Sequence, residues 1–162
     1  MQEGKDPNTL ETTKDRAASM IYPLKYERAL TNRIGLGGQL VFAKYFDTST
    51  VSATARDIAL ELNFHLINRS GIDIYTGGIV GYSGIKITDT NNDAVYQGGG
   101  MNMGLALHMR LFLGKSIYIP FNFSYVVYNY ANGRFKDNTG NDFAYPLKAT
   151  GKNFGIGLGV KI

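Results

Sequence analysis

Asp57-Ile58-Ala59-Leu60-Glu61-Leu62-Asn63-Phe64-His65-Leu66 alternates without a break. Ile58, Leu60, Leu62, Phe64 and Leu66 fall on one side. Asp57, Ala59, Glu61, Asn63 and His65 fall on the other. A period of two marks a strand whose faces meet different surroundings.

The same rhythm extends outward in both directions. Downstream, Met101 to Leu113 sets Met101, Met103, Leu105, Leu107, Met109 and Leu111 against Asn102, Gly104, Ala106, His108 and Arg110. Ile117 to Tyr128 and Asn153 to Ile162 repeat it, as do Ala17 to Leu30, Ile34 to Phe46 and Ile72 to Ser83 upstream. Thr31-Asn32-Arg33, Asn68-Arg69-Ser70-Gly71 and Gly114-Lys115-Ser116 have the composition of tight turns. Longer polar connections are expected at about 47–53, 88–99 and 131–151.

Composition agrees with an all-β chain. Among 162 residues there are 20 Gly, 11 Tyr and 9 Phe, with no Trp. The absence of Cys excludes disulfides, zinc–thiolate sites and a cysteine nucleophile. No run approaches the ~18 apolar residues of a membrane-spanning helix. The net charge of +4 is scattered and forms no basic block, which argues against a nucleic-acid partner.

The apparent strands, about 10–14 residues long, exceed the ~5–6 common in soluble sheets. Short and long connections alternate, and one face is nearly free of charge. These features predict an antiparallel up-and-down transmembrane β-barrel over residues 17–162, behind a polar lead at 1–16. Seven strands are legible; bacterial single-chain barrels are normally even-numbered, so an eighth is expected before residue 17. Leu60, Leu62, Phe64, Leu105, Leu107, Phe121, Phe123, Ile156 and Leu158 would then face lipid. Tyr22, Tyr45, Tyr82, Tyr125 and Tyr130 fall where an aromatic girdle would sit.

Lys25, Glu27, Asp57, Glu61, His65, His108, Arg110 and Lys161 would fill the interior as a polar network. Arg110 demands an acidic partner there, and Glu61 and Glu27 are the best placed. A carboxylate–histidine catalytic pair is the competing reading, but it lacks a nucleophile at a rim. No catalytic residue, cofactor or metal is assigned. Asp89 to Asp93 offers alternate oxygen ligands, but a calcium loop wants Gly and Glu where Ala94 and Gly100 stand.

Tyr26-Glu27-Arg28-Ala29-Leu30-Thr31-Asn32-Arg33-Ile34-Gly35-Leu36-Gly37 and the terminal Phe154 to Ile162 carry a family resemblance. The chain resembles the small outer-membrane β-barrels of Gram-negative bacteria, the OmpX, OmpW and OmpA-transmembrane type. Ile162 departs from the aromatic residue that usually ends them. The resemblance implies residence in the outer membrane after removal of a signal peptide. It implies contact with outer-membrane lipid and lipopolysaccharide, and with the barrel-assembly machinery. It also implies a non-enzymatic structural or adhesive role, or that of an accessory subunit in a larger envelope complex. The alternatives are a lipid- or lipopolysaccharide-modifying barrel enzyme and a soluble lipocalin-like binder, whose Leu-rich face would point inward.

Overall fold

The computed structural model describes residues 19–45 and 50–161. The expected lead at 1–16 and the eighth strand before residue 17 lie outside them.

Every described element is a strand. They are β1 (Ser19–Ala29), β2 (Ile34–Tyr45), β3 (Val51–Asn68), β4 (Ile72–Asp89), β5 (Ala94–Phe112), β6 (Ile117–Tyr130), β7 (Arg134–Lys136), β8 (Asp142–Ala144), β9 (Leu147–Ile156) and β10 (Gly159–Val160). They form one antiparallel sheet with β1 to β6 in sequential order. Beyond β6 lie β9 and β10, both paired to it. The β7–β8 hairpin extends the sheet from the start of β5.

The alternation assigns the faces. On β3, Ala55, Ala59, Glu61, Asn63 and His65 are buried, while Leu60 and Leu62 are each 59% exposed. The sheet is curled, because Glu27 on β1 reaches Arg110 on β5 across the concave side. Ala59, Ile79, Ala106 and Val126 form a small apolar cluster there, with Tyr128 against it.

The expected barrel is corrected to an open sheet. A barrel requires its last strand to pair with its first, leaving no edge. Among the described residues, β1 pairs only with β2, and β9 and β10 pair only with β6. Alternation specifies two unlike faces, which an open curled sheet satisfies as well as a closed one. The family resemblance fails for the same reason. Its first stretch does form the β1–β2 hairpin. Its last stretch is broken at Gly157 and Leu158 rather than forming one terminal strand.

Pro120 explains that break. Gly157 donates its N–H to the Pro120 carbonyl, and the antiparallel ladder expects Pro120 to donate in return. Proline has no N–H, so that rung is lost.

Two expected long connections are largely strand. β4 runs to Asp89 and β5 begins at Ala94, leaving a tight turn with Asp93 at φ 48°. The Asp89 carboxylate accepts from Asn91 N at 3.0 Å and Asn92 Nδ2 at 2.8 Å, closing that turn. Asp137 likewise accepts from the N–H groups of Thr139 and Asn141. These carboxylates act as turn caps. The run Gly98-Gly99-Gly100 hid the strand because glycine reads as a loop. Its missing side chains instead make room for Tyr96, Tyr82 and the β6 backbone.

Candidate functional site

The concave face gathers the polar groups in layers. In the first, near the β1–β2 and β3–β4 turns, His65 on β3 stands between two carboxylates. Its Nδ1 is 2.6 Å from Asp73 Oδ1 on β4, and its Nε2 is 3.0 Å from Glu27 Oε1 on β1. Arg110 on β5 closes the ring. It donates to Glu27 Oε2, to Asp73 Oδ2 at 3.3 Å and to Tyr75 Oη at 2.5 Å. A β-bulge at Leu66 shifts the β3–β4 register just past His65, and pairing resumes at Ile67 opposite Ile74 beside this layer.

Tyr75 links the first layer to the second. Its ring stacks between His65, at 4.9 Å, and His108, at 4.6 Å. His108 Nε2 is 2.5 Å from Glu61 Oε1, and its Nδ1 is 2.6 Å from Asn122 Oδ1. Lys25 Nζ lies 3.6 Å from Glu61 Oε2. The third layer is separate. Ser83, completely buried, donates to Asp57 Oδ1 and shares a 3.1 Å hydrogen bond with Tyr130 Oη. Tyr128 donates to Asp57 Oδ2 at 3.4 Å.

The interior residues therefore divide. Glu27, His65 and Arg110 meet in one layer, and Lys25, Glu61 and His108 in the next. Asp57 joins neither histidine. Lys161 lies outside the network, its Nζ 5.9 Å from the Phe112 ring. Arg110 takes Glu27 and Asp73, whereas Glu61 serves His108 and Lys25. Sequence reasoning left Asp73, Tyr75, Ser83, Asn122 and Tyr130 out of the network. Their inward parity was the available signal. Tyr130, expected in a girdle, is only 1% exposed.

Burial raises the Glu27 carboxyl, but Arg110, His65 and Asn63 together outweigh it and hold it below the usual value near 4.5. Glu61 behaves alike: burial raises it, and His108 and Lys25 bring it below that value. Asp57 goes the other way, because burial outweighs the hydrogen bonds from Ser83 and Tyr128.

These directions fix an acid response. A carboxyl depressed in the folded state contributes stability that is complete above its unfolded value and lost as pH falls through the folded one. Urea unfolding midpoints should therefore hold from pH 7 to about 5 and fall below about 4.5. The fall should flatten in Glu27→Gln/Glu61→Gln, where Asp57 opposes it and the depressed carboxyls that remain, Asp89 and Asp137, are exposed turn caps. An equally steep fall in that variant would contradict the assignment.

The outer face is the reverse of the interior. Leu60, Leu62, Phe64, Leu105, Leu107, Phe123, Ile156 and Leu158 are all exposed on it, and Phe121 is partly exposed. The lipocalin alternative is thereby overturned, because the Leu-rich face points outward.

No protein-family model, curated protein or solved structure matches the chain. No helix among the described residues is long and apolar enough to cross a membrane, a statement that does not concern strands.

Because the described strands do not close, the expectations of outer-membrane residence, transmembrane strands and a porin-like character are corrected. So are lipid, lipopolysaccharide, assembly-machinery and envelope-complex partners. The integral-barrel function falls with them, together with its lipid-modifying alternative.

Proposed function

We propose that this chain is a non-enzymatic interaction subunit whose apolar outer face is covered by another polypeptide. The carrying observation is the continuity of that face. Leu24, Leu60, Leu62, Leu105, Phe123 and Phe154 stand on five strands and are 50–76% exposed. Monomeric proteins rarely leave so continuous an apolar surface bare.

The open edges favour polypeptide as the cover. Among the described residues the long strands β1 and β9 each have one neighbour, so alternate N–H and C=O groups along each have no ladder partner there. Hydrocarbon cannot satisfy such groups, whereas another chain can. The use of the interior supports a non-catalytic role. Ser83, the most buried hydroxyl, is held by an aspartate and a tyrosine, with neither histidine beside it. Both histidines are engaged in cross-strand contacts.

The test is the double substitution Leu62→Ser/Leu105→Ser. Each site is exposed in the chain alone, so stability should change by about 0.5 kcal/mol or less per site. The protein isolated from its own cells without detergent should elute as an assembly. The double variant should elute as a monomer. An unmodified protein that is already monomeric, or an assembly indifferent to both changes, would overturn the proposal.

A further inference from the structure

The two edges of the sheet are not equivalent. Leu30 donates its N–H to the Ile34 carbonyl. Ladder alternation then turns the even-numbered residues of β1 toward β2 and the odd-numbered ones toward the open side. Pro23 is on the open side, where it removes a donor, a common way of protecting an edge. On β9, the bond from Gly157 N to Pro120 O sets the phase. Lys148, Thr150, Lys152, Phe154 and Ile156 therefore turn their backbone groups to the open side. β9 has no proline and no register shift against β6.

The side chains along β9 define what could pair there. The inward positions Ala149, Gly151, Asn153 and Gly155 are small. The outward positions are Lys148, Thr150 and Lys152, then Phe154 and Ile156, all exposed. Neither lysine has an ion-pair partner among the described residues. Lysines on an edge deter indiscriminate pairing, and they select a strand carrying acids opposite them. A second copy fits poorly. Its β1 edge carries Pro23, and β9 against β9 centred on Thr150 sets Lys148 opposite Lys152, a like-charge pair.

We propose that the β9 edge accepts one antiparallel strand from a different polypeptide. That strand carries acidic residues opposite Lys148 and Lys152 and apolar residues opposite Phe154 and Ile156. The added strand continues both faces of the sheet, and its main-chain hydrogen bonds give affinity while the side chains give selectivity. This inference rests on the reading that a polypeptide covers the sheet, and it names the chemistry of that partner.

The test uses the full chain and a fluorescein-labelled ten-residue peptide. The peptide alternates outward Leu, Val, Glu, Thr and Glu with inward Ser. Anisotropy should report saturable binding, and hydrogen exchange should slow at 148–156 when peptide is present. Thr150→Pro removes a donor only on the open side and should weaken binding about tenfold or more, as expected for a lost main-chain hydrogen bond. Lys148→Glu/Lys152→Glu should weaken it similarly, and a peptide with Lys replacing both Glu should restore it. Pro23→Val should leave it unchanged.

No saturable binding would overturn the inference. So would binding indifferent to Thr150→Pro, or protection appearing at β1. Full protection of 148–156 in the chain without peptide would also overturn it, because the edge would already be taken. If the peptide fails while Leu62→Ser/Leu105→Ser still dissociates the native assembly, only the edge inference falls. If that assembly does not exist, the interaction-subunit reading falls with it.

Discussion

Arg110→Met should lower the free energy of unfolding by about 3–5 kcal/mol, the range for removing one partner of a buried ionic network. The arginine bridges Glu27 on β1 and Asp73 on β4, and both carboxylates also face His65. Without the guanidinium, two ionised groups share one imidazole in a site largely withdrawn from water. Methionine keeps the aliphatic bulk, so the loss reports charge and hydrogen bonding more than volume. Adding Glu27→Gln and Asp73→Asn to the same chain should recover a substantial part of the loss, because the stranded charges go with the arginine. Urea unfolding of the three variants measures both effects. A loss below about 1 kcal/mol for Arg110→Met would mean that the network is solvated like a surface pair.

Gly100→Val should be next in size, at about 3 kcal/mol, the upper part of the usual overpacking range. A Cβ at this position would collide with the Asn129 carbonyl and the Tyr130 Cα. These are backbone atoms of β6, which cannot swing away as a flexible side chain can. The site lies where β5 ends its pairing with β6, at Met101 opposite Asn129, and goes on to β7, at Gln97 opposite Arg134. Displacing Tyr130 also disturbs its contact with the buried Ser83. Gly78→Ala is the control. A Cβ there meets nothing within 4 Å, so its cost should be well below that of Gly100→Val. Equal costs at the two positions would refute the packing argument.

The strands were legible because their alternation is strong and their turns are polar. The β1–β2 hairpin shows this: Thr31-Asn32-Arg33 separates two alternating runs, and Thr31 Oγ1 accepts from the N–H groups of Arg33 and Ile34. The ends of β4 and β5 were not legible, because Gly98 to Gly100 serves close packing inside a strand. Closure was not legible in principle. Whether β1 meets β9 depends on accumulated twist and curl, and no local residue pattern encodes it. The inward parity of Glu61, His65, His108 and Arg110 followed from alternation alone. Their actual partners depended on register. His108 lies opposite Asn122 on β6 because Met109 pairs with Phe121, and that pairing follows from the turn at Gly114 to Ser116.

Leu105 offers the most direct test of a polypeptide cover, because at 69% exposed it stands near the middle of the outer face. A photo-cross-linking amino acid placed there should, on irradiation in the protein's own cells, join the chain to one discrete polypeptide. Sequencing the adduct identifies that partner and its contact surface. Adducts formed only with lipid, or only with water, would contradict the account.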